Sequence, residues 1–195
     1  EYAVVILICS NISLLIDTVR SRVVRLDFSR NRDGEVLEAL RAHCGVVPEH
    51  DAEMICAYAD GIIGRALVNP ENFDTFRQLR ERVLTVLEML PGAKSEFLLE
   101  MSALFEKNQA YKEFLFFSIN SFLRDMMLAD RFGDRIRLQN VQFKDKIQRL
   151  AGRLGYHKAD ACVNIVQEAW TCLGRNVNYK LTIDSMAIRL QEAVK

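Results

Sequence analysis

The sequence predicts a mainly α-helical protein that begins with one β-strand. Three observations predict this class. Apolar residues recur every three or four positions over most of the chain, only three prolines interrupt its 195 residues, and a single β-branched run stands at its beginning. The three- to four-residue spacing places apolar side chains on one face of a helix. We therefore expect one strand, then a small unit of three short helices, then a larger helical bundle.

The first predicted element is the apolar run at 2–8, Tyr-Ala-Val-Val-Ile-Leu-Ile. It is too short to span a bilayer, which takes about 20 apolar residues, and it lacks the basic flank and cleavage site of a signal peptide. A β-branched run of this length is typical of a buried strand in a parallel sheet. Because one strand cannot pair its own backbone, we expect the rest of its sheet to belong to a longer protein of which this chain is a piece. The segment 14–24 that follows is predicted to be a short helix or an extended link.

The next predicted unit consists of three short helices at about 33–43, 50–59 and 62–68. Pro48 separates the first two, and Asp60-Gly61 ends the second. A linker is predicted around Pro70, because proline suits the first turn of the helix that follows. The predicted domains are therefore residues 1–28, 29–69 and 70–195.

The last predicted domain is a bundle of longer helices. The first three of its helices are predicted at 72–90, 94–108 and 110–131, and the third is apolar on nearly every side. A helix of this kind is usually central in its bundle. Three further segments carry apolar residues at helical spacing, around 143–154, 162–173 and 183–194, and Thr182 is placed to cap the last one.

The composition and motifs argue against an autonomous enzyme. There is no phosphate-binding loop of the G-x-x-x-x-G-K-[ST] type, no G-x-G-x-x-G and no H-E-x-x-H. His43 and Cys44 are adjacent, and adjacent helical side chains diverge, so we expect no metal site. Five scattered cysteines without a C-x-x-C pair predict reduced thiols in a cytoplasmic protein. No membrane partner is expected, because the apolar run at 2–8 is too short to span a bilayer. The 26 basic and 26 acidic residues balance, so any DNA contact is expected within a larger assembly.

The segment Thr18-Val19-Arg20-Ser21-Arg22-Val23 stands out because it follows the predicted strand and turn at a domain edge. An arginine held there can reach a nucleotide on a neighbouring subunit, and its planar guanidinium suits phosphoryl oxygens. On this chemistry alone, an ordinary surface arginine is the simpler interpretation.

Four motifs, taken in order, resemble those of AAA+ clamp-loader subunits. Residues 6–22 resemble the sensor-1 strand and the Ser-Arg-Cys element. Residues 59–67 resemble the Gly-x-x-Gly-Arg-Ala-Leu signature of the lid domain. Residues 122–127 resemble the aromatic-Leu-Arg-Asp helix, and residues 176–181 the Asn-Val-Asn-x-x-Leu signature. Together, across essentially the whole chain, they resemble the delta-prime subunits of the bacterial DNA polymerase III clamp loader.

The resemblance implies the end of a RecA-like α/β domain at 1–28, a helical AAA+ lid at 29–69 and a helical collar, the oligomerisation domain, at 70–195. It implies that Arg22 is an arginine finger directed at ATP on an adjacent subunit, with Ser21 as its motif partner. Ser10 and Asn11 would lie at the sensor-1 position. The implied role is a non-catalytic subunit that binds no cofactor of its own in this part of the protein. It would assemble with gamma/tau and delta subunits to load the sliding clamp on primed DNA.

Two departures from the family pattern concern the finger segment: Val23 replaces the usual Cys, and Ile16 stands where Pro is common. The lid motif separates the delta-prime type from the motor subunits, which carry a sensor-2 arginine three residues after the position of Gly61. Here Gly64 occupies that position and Arg65 comes one residue later, about 100° further round a helix. Two alternatives stay open: an ATP-hydrolysing motor subunit of the same complex, and a helical adaptor unrelated to nucleotides.

Overall fold

The computed structural model describes residues 3–9, 12–67, 72–92, 95–136, 138–175 and 177–195. It divides into two compact units, residues 1–30 and 31–195. In the first unit, residues 3–9 have no regular secondary structure, a 3₁₀ turn covers Ile12–Leu14, and helix α1 covers Asp17–Arg20. The strand predicted at 2–8 is therefore not formed over its described residues, because a strand needs a paired neighbour. Of the predicted helix or link at 14–24, only the single turn of α1 is α-helical.

All regular secondary structure among the described residues of the second unit is helical, as the sequence predicted. Its short helices are α2 at Asp33–Cys44, α3 at Glu49–Ala59 and α4 at Ile63–Ala66. The helices that follow are α5 at Asn72–Met89, α6 at Ser95–Lys107, α7 at Lys112–Phe132, α8 at Lys144–Leu154, α9 at Tyr156–Leu173 and α10 at Tyr179–Ala193, and all but α8 are longer than the first three. Most observed ends lie within two residues of the predicted ones; α4 is shorter.

Several helices of the second unit end at residues that adopt positive φ. Asp60, at φ 49°, and Gly61, at φ 74°, end α3 as the sequence predicted. Gly133, at φ 56°, ends α7, and Gly155, at φ 73°, separates α8 from α9. Glycine has no Cβ to oppose this conformation, so the turns form at low cost at the three glycines.

Helix α7 is central in the bundle, which confirms the prediction from its all-round apolar sequence. It packs against α5, α8 and α9, while α10 packs against α6 and α9. Several large side chains along α7 are almost completely buried, among them Phe114, Leu115, Ile119, Phe122 and Leu123. At roughly 25 cal/mol per Å² of buried apolar surface, side chains of this size dominate the stabilisation of the bundle.

One predicted cap is wrong. Thr182 does not begin α10; it lies in the first turn, and its hydroxyl donates a hydrogen bond to the Asn178 carbonyl oxygen at 2.9 Å. The cap is Asn178, whose side-chain oxygen accepts the backbone N–H of Leu181 at 3.1 Å. Asparagine is a strong N-cap because its short side chain reaches the unpaired amides of the first turn.

Candidate functional site

The predicted finger segment forms a tight turn at the end of α1. The Ser21 amide donates to the Asp17 carbonyl oxygen at 2.9 Å, and the Arg22 amide donates to that of Val19 at 3.0 Å. The Ser21 hydroxyl also donates to the Thr18 carbonyl oxygen at 3.3 Å. Ser21 thus closes the turn from which Arg22 projects, which gives the predicted motif partner a local structural role.

Arg22 differs from its neighbouring arginines in its ion pairing. Arg20 lies 3.2 Å from the Asp17 carboxylate and Arg25 lies 2.6 Å from that of Asp27, whereas Arg22 is exposed and has no ion pair within the described part of the chain. A guanidinium that is not held by a carboxylate keeps its donors available for an external anion. Among the arginines of this segment, Arg22 is the one best suited to bind a phosphate.

The predicted sensor-1 residues, Ser10 and Asn11, lie outside the described residues. The strand-like run before them carries apolar side chains that are exposed in this unit: Val4 is 88% exposed and Ile8 is 95% exposed. Contiguous exposed apolar side chains mark surfaces that another protein element covers.

Arg65 comes one residue after the sensor-2 position of the lid motif and lies in the short helix α4. Its Nε is 3.9 Å from a carboxylate oxygen of Glu113 at the beginning of α7, and the side chain is partly exposed. A pair at this distance and exposure contributes little to stability. Arg65 is therefore a surface group whose guanidinium lies beside the first turn of α7.

The aromatic-Leu-Arg-Asp motif lies on α7 and contains a buried carboxylate. Asp125 is fully buried and accepts three hydrogen bonds: from the Gln139 amide at 3.2 Å, and from the Asn140 amide and side chain at 2.7 and 2.8 Å. The Asn140 side chain also donates to the Ser121 hydroxyl at 2.8 Å. These bonds fix the loop between α7 and α8 onto α7. We call Asp125, Asn140, Ser121 and Arg80 the buried polar cluster.

Arg80, on α5, completes the buried polar cluster. It is 5% exposed, donates to the side-chain oxygen of Asn140, and places its guanidinium 5.8 Å from the ring centre of Phe122 and 5.9 Å from that of Phe143. Burial lowers its pKa to about 10, with Asp125 and Asp51 acting in the opposite direction. Arg80 is therefore protonated at neutral pH and offsets the charge of Asp125.

A second set of contacts joins the three short helices to the long ones. The fully buried Asp51 of α3 accepts two hydrogen bonds from Arg77 of α5, at 2.9 and 2.5 Å. The pKa of Arg77 is raised, and the hydrogen bond to Asp51 is the largest cause. Nearby, the Tyr58 ring packs edge-on against Phe114, with ring centres 5.2 Å apart. The predicted lid helices are thus tied to the predicted collar by a bidentate ion pair and an aromatic contact.

The sequence did not reveal the buried polar cluster or the Asp51–Arg77 pair. Their partners are far apart in the chain: Arg80 and Asn140 are separated by 60 positions, and Asp51 and Arg77 by 26. One local signal was present: Asp125, with Arg124 beside it, stands in the otherwise apolar stretch 122–129 of α7. A charged residue on a face that periodicity assigns to the core requires a buried partner.

An open cleft of about 750 Å³ lies between the short helices and α7. Its walls include Arg41 and Arg124 but also Asp33, Glu49 and Glu53, so neither sign of charge dominates. Cys56 lines it, and burial raises the pKa of this thiol above its ordinary value. A raised pKa lowers the thiolate fraction at neutral pH, which argues against a nucleophilic role.

The part of the chain that the structure describes contains neither a candidate metal site nor a helix that could span a membrane. No group of three or more His, Cys, Asp or Glu side chains there could hold a metal ion. None of the helices there combines the length and apolar character that crossing a bilayer requires. Of the site residues predicted from the sequence, Ser21 and Arg22 share one turn.

Comparison with known proteins does not assign a family. No protein-family model matches the chain, and no curated protein is significantly similar to it. What is established about the described residues of 31–195 is therefore their architecture: a helical bundle around α7, joined to three short helices through Asp51 and Tyr58.

Proposed function

We propose that the chain is part of a delta-prime-type clamp-loader subunit that takes part in DNA replication without hydrolysing ATP itself. The observation that carries this proposal is the order of four motifs along the sequence, at residues 6–22, 59–67, 122–127 and 176–181. Any one of these motifs is short enough to occur by chance. Their succession in an otherwise helical chain is what favours this family over an unrelated helical adaptor.

Several structural features are consistent with the proposal. Three short helices precede six helices, five of which are longer, and this order fits a lid followed by a collar. The exposed apolar run at 3–8 fits a strand that is covered by other strands in a RecA-like domain. Arg22 is exposed and forms no ion pair with any described residue, as an arginine finger requires.

In the proposed assembly, Arg22 acts in trans on ATP bound to a neighbouring gamma/tau-type subunit. Its guanidinium stabilises the charge that develops on the phosphoryl oxygens during hydrolysis. Ser21 holds the turn, and the helices from α5 onward associate with the collars of the other subunits. Hydrolysis then releases the sliding clamp on primed DNA. Because binding is reciprocal, the same arginine also strengthens the subunit interface when ATP is bound.

The test is the clamp-dependent ATPase of a reconstituted loader that contains the full-length subunit. We expect Arg22→Ala to leave assembly intact, measured by gel filtration, and to lower turnover at least about tenfold, since an arginine finger contributes about 10³-fold or more to hydrolysis at the site that it completes. The matched control is Arg20→Ala, which removes a nearby arginine that Asp17 already pairs, and we expect its turnover to match the wild type.

Two results would contradict the proposal. Unchanged turnover of Arg22→Ala in an assembled complex would reduce Arg22 to a surface residue. Failure of the wild-type subunit to assemble with gamma/tau and delta subunits would favour the adaptor alternative.

A further inference from the structure

Two buried polar atoms next to the buried polar cluster have no hydrogen-bond partner among the described residues. One is Nε of Arg80, on α5, and the other is the hydroxyl oxygen of Ser118, on α7. Arg80 is 5% exposed and Ser118 is 1% exposed, so bulk solvent does not hydrate either atom. A buried polar group without a partner is costly, and in folded proteins such groups are bonded to protein or to an internal water molecule.

The Nε–H group of Arg80 points towards the buried polar cluster. A guanidinium has one edge on which Nε–H and an Nη2–H lie side by side, and Arg77 uses this edge to bond both oxygens of Asp51. Arg80 donates from the same Nη2 to the side-chain oxygen of Asn140. Its Nε–H is therefore directed to the same side, beside Asn140, whose amide group donates to the Ser121 hydroxyl of α7.

Ser118 lies on the side of α7 that carries the buried polar cluster. It comes three residues before Ser121 and seven residues before Asp125. At about 3.6 residues per turn, these spacings place the three side chains in one row along the helix. All three are buried. Ser118 therefore extends the row of buried polar groups by one turn towards the beginning of α7.

This side of α7 faces α5 close to Arg80. Phe114, one turn before Ser118, packs against Phe76 of α5 with ring centres 4.2 Å apart. Phe122, one turn after Ser118, lies beside the Arg80 guanidinium. Phe76 and Arg80 are themselves one turn apart on α5. Ser118 thus stands between two contacts that join α7 to α5, and its hydroxyl faces the side chain of Arg80.

The charges at this position favour a neutral ligand. The Arg80 guanidinium repels a metal ion, and the buried Asp125 carboxylate repels an anion. The two charges offset each other, so the position needs no counter-ion. A water molecule fits a packed interior and both accepts and donates hydrogen bonds, usually about three in total.

We infer that a water molecule is bound inside the bundle, between Arg80 Nε and the Ser118 hydroxyl. It accepts a hydrogen bond from the Nε–H group, donates one to the Ser118 oxygen, and donates another to the side-chain oxygen of Asn140, which has a second lone pair. The water links α5, α7 and the connection between α7 and α8. This inference does not depend on the clamp-loader proposal, because it concerns only the interior of residues 31–195.

The direct test is a crystal structure of the 195-residue chain at a resolution that shows ordered waters. We expect one water within about 2.7–3.2 Å of both Arg80 Nε and Ser118 Oγ, the usual range of these hydrogen bonds. The matched control is the structure of Ser118→Val. Its methyl groups take the place of the hydroxyl and form no hydrogen bond, so we expect this water to be lost.

A second test, in solution, compares Ser118→Ala with Ser185→Ala, the same substitution at an exposed position of α10. Both variants gain the helix propensity of alanine, so their difference reports the buried hydroxyl alone. We expect Ser118→Ala to raise the equilibrium constant for unfolding in urea about fivefold relative to the control, because one hydrogen bond of the water is lost. In an Arg80→Lys background, which keeps the charge but removes Nε, the effect of Ser118→Ala should be smaller.

Three results would overturn the inference. The first is a crystal structure in which protein groups alone bond Arg80 Nε and the Ser118 hydroxyl. The second is an equilibrium constant for unfolding that is smaller for Ser118→Ala than for Ser185→Ala, since removing a buried hydroxyl that has no partner is stabilising. The third is an equal effect of Ser118→Ala with and without Arg80→Lys, which would show that the two atoms share no ligand.

Discussion

At the scale of single residues, Asp125 illustrates how a charge is tolerated inside this bundle. Its carboxylate accepts three hydrogen bonds from Gln139 and Asn140, and the buried cation Arg80 is linked to it through Asn140. Removing one member of such a set leaves the others buried and without their partners, which costs more than the lost bonds alone.

We predict that Asp125→Ala lowers the free energy of unfolding by about 3 kcal/mol, the low end of the range for breaking a buried ion pair. Urea unfolding followed by circular dichroism measures this loss. The control is Arg124→Ala at the adjacent position. The Arg124 side chain is exposed, and its pair with the Asp125 carboxylate is long, at 3.7 Å. Its effect should stay within about 0.5 kcal/mol, and equal losses in the two variants would contradict the assigned roles.

Cys162, on α9, is fully buried, and burial raises the pKa of its thiol to about 12. The unfolded chain releases this proton near pH 9, whereas the folded chain keeps it, so rising pH favours the unfolded chain. The thiol therefore causes no loss of stability below about pH 9 and an increasing loss from there to about pH 12.

We predict that the free energy of unfolding of the wild type falls more steeply between pH 9 and pH 11 than that of Cys162→Ala. The difference in slope should approach about 1.4 kcal/mol per pH unit. Urea unfolding at several pH values measures it. Cys172→Ala, which removes an exposed thiol, should keep the wild-type slope; parallel curves for wild type and Cys162→Ala would show that the buried thiol has no such effect.

At the scale of secondary structure, the beginning of α10 depends on one side chain. Asn178 accepts the Leu181 amide, and its carbonyl oxygen accepts the Thr182 hydroxyl. Helix α10 packs against both α6 and α9, so fraying of its first turn loosens two neighbours.

We predict that Asn178→Ala lowers the free energy of unfolding by about 1 kcal/mol, the usual cost of removing an N-cap side chain. Thermal unfolding by calorimetry measures the change. Ser185→Ala, an exposed substitution within α10, is the control and should have a much smaller effect. A larger loss in Ser185→Ala than in Asn178→Ala would contradict the capping role.

The sequence predicted the helices well because the relevant signal is local. Apolar spacing along α5, α6 and α7 identifies their buried faces, and Asp60-Gly61 marks a stop whose positive φ angles the structure shows. The cap of α10 was assigned to Thr182 because Thr182 directly precedes the apolar periodicity. The true cap, Asn178, stands four residues earlier, before a turn that carries little apolar signal.

The candidate site could be predicted only in part. The turn that holds Arg22 is local, so Ser21 and Arg22 could be placed together from the sequence. Tertiary packing created the buried polar cluster and the Asp51–Arg77 pair, which join residues of different helices. The apolar spacing along one helix does not identify the distant side chain that pairs with a buried charge.

At the scale of the whole molecule, the core begins late in the sequence. Among the described residues, the first buried apolar side chain is Val36, while Leu190 and Val194 are still buried near the other end. The stability of residues 31–195 is therefore expected to arise from their own core.

We predict that a chain lacking residues 1–30 unfolds in urea within about 0.5 kcal/mol of the full chain. Deletion of residues 190–195, a shorter truncation at the other end, should cost at least about 2 kcal/mol because it removes the buried Leu190 and Val194. A large loss on removing residues 1–30 would show that the first unit contributes to the core.

The Asp51–Arg77 pair and the packing of Tyr58 have a mechanical consequence. Two hydrogen bonds from Arg77 to Asp51 and the edge-on contact of Tyr58 with Phe114 join α3 to α5 and α7. We therefore expect the three short helices and the long bundle to move together. Arg77→Ala removes two of these contacts, and we expect it to loosen the attachment of α3.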